Sequence, residues 1–237
     1  MSPFASLLDV QRHDTALAQM HHRRSHLPEH DAVVTLEQAI ADLERDETPI
    51  RAQEAALSQR QAAFEAQLHD VDAKITSADR ALFGGTVTAT RELQALEADL
   101  VSLRRRRNDL EDLELEVLME REPIDAQLGR SAIDRESLLA RLTEAQEAEV
   151  AALAALDAQA HAAGVARAQA AAAVEPGMLT RYETIRAKNN GIGLARLVGG
   201  ICGSCRLQLA SVELDRIRAL SADALVTCEE CNAILVR

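Results

Sequence analysis

The sequence contains very few aromatic residues. It has no Trp, one Tyr and three Phe, or 2% of its 237 residues, although 47% of the residues are apolar. Large globular cores draw much of their buried surface from aromatic side chains, so this composition argues against such a core. The predominance of small and straight-chain residues is typical of long helices that pack against one another.

Cysteine is absent from residues 1–201, and all four cysteines lie in residues 202–237. The N-terminus has no basic segment followed by an apolar run, so no signal peptide is expected. The sequence also lacks the roughly 18 consecutive apolar residues that a membrane span needs. We therefore expect a cytoplasmic protein without membrane contact, in which reduced thiols bind metal more often than they form disulfides.

Positive charge is scarce over most of the chain. The net charge is −12, yet residues 176–237 hold eight basic and six acidic side chains, so the excess of acids lies before them. Phosphate binding depends on clustered cations. The chain is therefore not expected to bind nucleic acid generically, and any such contact requires a local patch.

The four cysteines form two Cys-x-x-Cys pairs separated by 22 residues: Cys202 with Cys205, and Cys228 with Cys231. Two intervening residues let a tight turn aim both sulfurs at one ion, and two such turns complete the tetrahedral shell that Zn²⁺ prefers. We therefore predict one structural Zn²⁺. A rubredoxin-like iron site, redox-active cysteines and two disulfides are the alternatives. Because protein fills all four ligand positions, no position remains for an activated water, and the site is not expected to catalyse.

Apolar residues recur every three or four positions through most of the chain. From Val33 to Leu82, twelve of fifteen positions in register are apolar, and a looser stretch runs from Leu93 to Leu156. A repeat of 3.5 residues sustained this long predicts a coiled coil. The interrupting polar residues are Glu47, Glu54 and Gln61 in the first stretch, and Arg107, Glu114, Arg121, Ser131, Arg135 and Glu149 in the second.

Residues 84–90, with two glycines, separate these stretches and predict the tip of an antiparallel hairpin. Pro28 predicts a break after a short first helix. The predicted fold is mainly α: a long antiparallel coiled-coil helical hairpin in residues 1–174, followed by a linker helix and a small β-rich four-cysteine zinc ribbon in residues 175–237. If the tip is centred near residue 87, Pro49 and Pro123 bend the hairpin at one level.

Local patterns predict the elements of the C-terminal domain. A helix is expected from Met178 to Lys188, and strands are expected at Leu197–Ile201 and Ala233–Val236. A further helix between the strands is expected to be capped by Ser211. Asn232 directly follows the second cysteine pair, where a left-handed residue is often needed, and Asn tolerates that conformation well.

Three other groups of polar residues carry weaker signals. His22, His26 and His30 recur every fourth residue, but a proline interrupts their helix, which favours a solvated face over a metal site. Arg104–Arg107 points all round a helix axis, which favours a solvated face over a phosphate site. Five cations are candidates for contact with nucleic acid or a partner protein: Arg181, Arg186, Lys188, Arg196 and Arg206.

The cysteine segments and the tip resemble the bacterial C4-type zinc ribbon family. The resemblance rests on Ala195–Leu209 and Thr227–Val236 around the cysteines, Tyr182–Arg186 ahead of them, and Gly84–Leu96 with Leu110–Asp112 in the hairpin. Glu229 and Asn232 stand where the family usually has Pro and Gly. The resemblance implies an elongated, non-enzymatic adaptor, and some members bind an alternative sigma factor of the nitrogen type or messenger RNA.

Two functions follow as hypotheses. The first is a zinc-binding adaptor or regulator that binds protein partners, some of them related to transcription, through the coiled coil and the ribbon. The second is a regulator that binds RNA or DNA through the ribbon and its flanking Arg residues. Because no Gly-rich phosphate loop and no Ser/His/Asp or Cys/His nucleophile arrangement occurs, we expect neither an enzyme nor a small-molecule substrate.

Overall fold

The computed structural model describes residues 4–85, 87–221 and 224–237. The helices are α1 (Ala5–Ser25), α2 (Pro28–Phe83), α3 (Thr90–Ala172), α4 (Pro176–Lys188) and α5 (Ser211–Ala219), and the strands are β1 (Leu194–Val198), β2 (Ile201–Cys202), β3 (Val226–Thr227) and β4 (Ile234–Val236). The mainly α fold, a helical hairpin with a small strand-containing C-terminal region, is confirmed. Within the described residues, no helix combines the length and apolarity that crossing a membrane requires.

The chain forms two compact units. The first comprises Met1–Val33 and Ala145–Arg237, and the second comprises Val34–Glu144. The first unit holds α1, α4, the sheet and α5 together with the ends of α2 and α3. The predicted domain boundary between residues 174 and 175 stays a prediction.

The tip of the hairpin depends on two glycines. α2 ends at Phe83, and the Gly84 amide donates to the Arg80 carbonyl at 2.9 Å. A Cβ on Gly84 would lie 2.4 Å from that carbonyl oxygen, and Gly85 has a φ of +72°, so both positions exclude larger residues. Thr86, part of the predicted tip, lies outside the described residues.

Polar residues that interrupt the two apolar stretches face one another across the hairpin. Glu47 of α2, only 1% exposed, forms an ion pair with Arg135 of α3. Arg121 of α3 donates to Gln61 at 2.7 Å and lies 3.4 Å from Glu54. Because a buried charge is costly without a partner, these contacts disfavour any register that separates them.

The structure does not bring Pro49 and Pro123 to one level, so the predicted coincidence of two bends is wrong. Both prolines lie inside continuous helices. Glu120, close to Pro123, binds Arg60 at 2.8 Å, whereas Glu47, close to Pro49, binds Arg135. These two pairs have their midpoints at residues 90 and 91. Arg121 with Gln61 also has its midpoint at residue 91, whereas the longer contact of Arg121 with Glu54 has it near residue 87. The two prolines are therefore roughly two helical turns apart along the hairpin.

The four strands form one sheet in the order β2-β1-β4-β3. β1 and β4 are parallel, with Leu194 opposite Ile234 and Ala195 opposite Leu235, and the other two pairs are antiparallel. Leu194 and Ile234 pack in one apolar cluster with α1 and α4, whereas Ala195 and Leu235 pack in another with the cysteines and α5. Alternate residues of each strand thus serve the two faces of the sheet.

The predicted strand Leu197–Ile201 is instead part of a hairpin. Gly199 and Gly200 have φ values of +60° and +83°, and they turn the chain so that Val198 pairs with Ile201. Two consecutive residues with positive φ are what a tight two-residue hairpin turn requires, and glycine adopts them without steric cost. The prediction was wrong because it merged two short strands with the turn between them.

The predicted cap of α5 is also wrong. Ser211 is the first residue of the helix, and the N-cap residue is Ala210, whose side chain makes no capping bond. The Ala210 carbonyl accepts from the Leu214 amide at 3.0 Å. α4, in contrast, has a side-chain cap, because the Glu175 carboxylate accepts from the amides of Gly177 and Met178.

We predict that Arg135→Met lowers the melting temperature at neutral pH, since it removes a partner of buried Glu47. The guanidinium of Arg51, and after it that of Arg135, hold the pKa of Glu47 below its ordinary value of 4.5 against the opposing effect of burial. Because the folded pKa is the lower one, this stabilisation is present above pH 4.5 and is lost as the pH falls through the folded pKa.

Thermal unfolding of both proteins between pH 3 and 8 measures this effect. The deficit of Arg135→Met should shrink in acid. The control is Arg45→Met, which breaks an ion pair with Asp42 whose side chains are 67% and 49% exposed. Exposed pairs contribute little, so this control should melt close to the unaltered protein. An equal deficit at all pH values would contradict the prediction.

Candidate metal centre

Two turns of the same backbone design carry the four cysteines. In knuckle 1 (Cys202–Arg206) the Arg206 amide donates to the Cys202 carbonyl at 2.8 Å, and in knuckle 2 (Cys228–Asn232) the Asn232 amide donates to the Cys228 carbonyl at 2.9 Å. Arg206 and Asn232, the residues after each second cysteine, have φ values of +61° and +59°. The left-handed conformation predicted for Asn232 is present. Arg206 adopts the same conformation, although an arginine at that position does not predict it.

The next residues complete each knuckle. The Cys202 amide donates to the Leu207 carbonyl at 3.0 Å, and the Cys228 amide donates to the Ala233 carbonyl at 2.9 Å. Knuckle 1 also needs Gly203, because a Cβ there would lie 2.9 Å from the Arg196 carbonyl oxygen. The two knuckles therefore present their sulfurs with matching backbone geometry.

The four sulfurs lie within 4.8 Å of one another. Two contacts cross between the knuckles, Cys202 Sγ to Cys231 Sγ and Cys205 Sγ to Cys228 Sγ, each at 3.8 Å. A tetrahedral ion with metal–sulfur bonds of about 2.3 Å holds its sulfurs about 3.8 Å apart. The four sulfurs are therefore spaced to bind one metal ion. Among the described residues, this is the group of Cys, His, Asp or Glu side chains whose ligand atoms lie close enough together to share an ion.

The protonation of the sulfurs depends on burial and on backbone amides. Burial raises the pKa of Cys202, and it raises the pKa of Cys228 to about 12. For Cys231 burial again acts upward, but the Ala233 amide and the Ser204 hydroxyl outweigh it and lower the pKa to about 7. Amides that donate to thiolate sulfurs disperse their charge, which favours the binding of a cation by four cysteines.

The five candidate cations differ in their surroundings. Arg186 binds Asp14 and Glu183 inside the first unit. Lys188 lines a 450 Å³ cavity beside Cys231. The other three are exposed and have no ion pair with a described residue: Arg181, Arg196 and Arg206.

The remaining sequence candidates do not converge on a site. His22 and His26 stack with ring centroids 4.3 Å apart, whereas His30 contacts Glu149 at 2.8 Å. Arg104 pairs with Asp79, and Arg107 is half-buried and pairs with Glu111 on its own helix. The three histidines therefore do not converge on one point, and Arg104 and Arg107 are each paired with an acidic residue.

Helix α1 packs against the sheet of the cysteine region, residues 191–237, which we call the metal module. The sequence patterns did not indicate this contact. Phe4, Leu7 and Val10 are buried in the same apolar cluster as Leu194 and Ile234 of the sheet. Gln11 then binds the backbone at the start of β1. Its side-chain oxygen accepts from the Gly193 amide at 2.7 Å and the Leu194 amide at 3.2 Å, and its amide donates to the Gly191 carbonyl.

A buried polar network joins α1 to α3 and α4. Asp14, 3% exposed, accepts from the Tyr182 hydroxyl at 2.7 Å and lies 3.3 Å from both Arg167 and Arg186. Tyr182 is fully buried, and a Cβ on Gly193 would lie 2.5 Å from its ring. Burial and the bond to Asp14 raise the pKa of Tyr182, so its hydroxyl remains a donor at all ordinary pH values.

The model of the CT398-like coiled coil hairpin domain matches residues 10–190. The match covers both long helices and α4 and ends before the first cysteine. It supports the hairpin part of the resemblance to the C4-type zinc ribbon family, whereas the ribbon part is supported by the cysteine cluster alone.

Mycobacterial proteins are similar over nearly the whole chain. An uncharacterized protein of Mycobacterium tuberculosis is 34% identical over 245 residues, which cover 98% of this chain and 94% of that protein. A solved structure from Mycobacterium smegmatis is 29% identical, with a TM-score of 0.70 and coverage of 100% of both chains. The structure of CT398 from Chlamydia trachomatis, 15% identical with a TM-score of 0.64 over 99% of this chain and 97% of that chain, shows the fold alone.

We predict that Cys228→Ser abolishes metal binding but leaves most of the helical signal, because the hairpin is stabilised by its own packing. Metal content by mass spectrometry and far-UV circular dichroism measure the two effects. Thr227→Ser, at the neighbouring half-buried residue, is the matched control and should keep its metal. Loss of most helical signal together with the metal would show that the hairpin depends on the metal module.

We also predict that Tyr182→Phe destabilises the protein by roughly 1–3 kcal/mol, since it removes a donor from buried Asp14. Urea unfolding measures the difference. Thr184→Ala removes an exposed hydroxyl from the same helix and should change the stability by less than about 0.5 kcal/mol. If the two variants were equally stable, the network around Asp14 would not stabilise the first unit.

Proposed function

The chain belongs to the CT398-like coiled coil hairpin domain family, and we propose that it is a non-enzymatic zinc-binding adaptor. The four-cysteine centre carries the proposal. Its sulfurs surround one point, so a bound ion has no free position for water or substrate. Such an ion stabilises the module around it, and the function then resides in the surfaces that the protein presents to partners.

Zinc is the metal we propose for the four cysteines. Zn²⁺ has no redox chemistry and prefers a tetrahedral shell of thiolates, which the 3.8 Å sulfur contacts support. We further propose a cytosolic location, because thiols stay reduced there and remain available to the ion. An iron site would accept the same ligands, and the two are easily distinguished, since ferric thiolate centres absorb visible light and zinc centres do not.

The exposed end of the β1–β2 hairpin supports a protein partner. Val198 and Ile201 are opposite one another in the β1–β2 hairpin and are 68% and 44% exposed. Arg196, two residues before Val198, lies on the same face of β1 and has no ion pair with a described residue. This ribbon face, defined by Arg196, Val198 and Ile201, joins apolar contact area to a cation and suits a protein surface with apolar and acidic groups.

Nucleic acid is the second candidate, favoured by the exposure of Arg181, Arg196 and Arg206. Phosphate contacts require such cations, and residues 195–237 contain five basic and five acidic side chains. Those residues contain no aromatic side chain on which an unpaired base could stack. We therefore favour the protein partner.

Two variants test the adaptor against its alternative. Val198→Asp should abolish capture of a partner from the cells that make this protein, because it places a charge in the apolar part of the ribbon face. Val34→Asp, at a residue of α2 that is 50% exposed, is the control and should retain the partner. Both variants should keep their zinc and their helical far-UV circular dichroism signal, which confirms that the cysteine region and the hairpin fold.

Titration with labelled RNA supplies the second arm. We expect at most weak binding at low salt, and loss of that binding at physiological salt. Saturable binding of RNA at physiological salt that Arg196→Glu with Arg206→Glu abolishes would establish the nucleic-acid function instead. Capture of the same proteins by Val198→Asp and by the unaltered protein would contradict the proposed role of the ribbon face.

A further inference from the structure

Helix α3 exposes a contiguous apolar cluster within the second unit. Leu115, Leu118 and Met119 are 56%, 42% and 66% exposed, and their spacing of three and four residues puts them on one face. Val117 and Leu110 of the same segment are almost fully buried inside the hairpin. Single exposed apolar residues are ordinary, but adjacent ones on a helix face indicate a binding surface.

Negative charge surrounds this cluster. Residues 109–125 contain eight acidic side chains and one basic one, Arg121. Three of the acids are paired, with Arg107, Arg60 and Arg121. The other five form no ion pair with any residue that the structure describes: Asp109, Asp112, Glu114, Glu116 and Glu122.

We propose that this surface, the acidic α3 face (Leu115, Leu118 and Met119 with Asp112, Glu116 and Glu122), binds a basic amphipathic helix of a partner protein. Apolar anchors three and four residues apart match the stripe of an amphipathic helix. The unpaired carboxylates, of which Asp112 and Glu116 lie beside the apolar residues and Glu122 lies in line with them, match Lys or Arg of the partner helix. The proposal rests on the adaptor function and names the chemistry of one partner.

Charge also argues against other occupants. Nucleic acid would bring phosphates against carboxylates, which repel them. In a symmetric dimer of two acidic α3 faces, like charges would oppose one another. A helix that carries cations around an apolar stripe would bury the exposed apolar side chains and form ion pairs with the unpaired carboxylates.

The probe is an 18-residue synthetic helix with Leu on one face and Lys on the other, labelled with fluorescein. Anisotropy at physiological salt measures its binding to the full chain. Because three side chains form a small contact, we expect a dissociation constant of about 10–100 µM. A peptide of the same length with Glu in place of Lys, and a scrambled Leu/Lys peptide, should bind at least about tenfold more weakly.

A pair of matched variants locates the site. Leu115→Gln with Met119→Gln should weaken binding about tenfold or more. Val101→Gln with Ile133→Gln removes two apolar residues of the same helix that are 69% and 68% exposed, and it should change binding less than about twofold. Equal loss in both pairs would show general attraction to an acidic protein and would overturn the proposal.

The charges are tested in the same way. Asp112→Asn with Glu116→Gln and Glu122→Gln should weaken binding and reduce its dependence on salt. The control is Asp134→Asn with Glu136→Gln and Glu144→Gln, which removes as many exposed acids from α3 outside the surface. Equal effects of the two triple variants, or tighter binding of the Glu peptide, would also overturn the proposal.

Sedimentation of the chain alone distinguishes the remaining occupant. Self-association that Leu115→Gln with Met119→Gln abolishes would make a second copy the occupant and would refute the partner helix. Failure of the adaptor function gives a different result. If capture remains sensitive to Val198→Asp while the peptide binds all variants equally, the adaptor stands and the acidic α3 face is not a docking surface.

Discussion

The small sheet cannot hold its fold by burial of its own residues, and this constraint determines much of the first unit. Its strands have five, two, two and three residues, too few for an independent apolar core. One face is therefore completed by α1 and α4, which pack on Leu194 and Ile234. The other is completed by α5 and the four cysteines, which pack with Ala195 and Leu235. A metal ion at the sulfurs would stabilise the face that α1 does not reach.

In the hairpin, the main constraint is the register in which α2 pairs with α3. Two long apolar stretches of similar residues can slide past one another with little loss of buried area. In the observed alignment buried Glu47 contacts Arg135, and Arg121 contacts Gln61 and Glu54, and a shifted alignment would separate these partners. Such pairs add little stability compared with apolar residues of the same size, but they penalise every shifted alignment. The polar residues that interrupt the apolar repeat therefore help to determine the register of α2 against α3.

Short sequence patterns predicted those features that depend on residues close together in the chain. The cysteine spacing and Asn232 anticipated the knuckles, and the 3.5-residue repeat anticipated the hairpin. Gly199 and Gly200 carried a two-residue turn signal that was overlooked within an apolar run. The roles of Gln11 and Asp14 could not be predicted, because their partners lie about 170 to 180 residues away in the chain. Periodicity indicates that a helix has a buried face, but it does not indicate what that face contacts.

The ribbon face and the acidic α3 face both expose apolar residues, but their charged residues have opposite sign. The ribbon face combines Val198 and Ile201 with Arg196, whereas the acidic α3 face combines Leu115 and Met119 with unpaired carboxylates. If both are docking surfaces, as we propose, a partner segment that complements one would be repelled by the other, and each would exclude the wrong class of partner by charge. The proposed adaptor function needs surfaces that select different partners, and opposite charge would provide that selection.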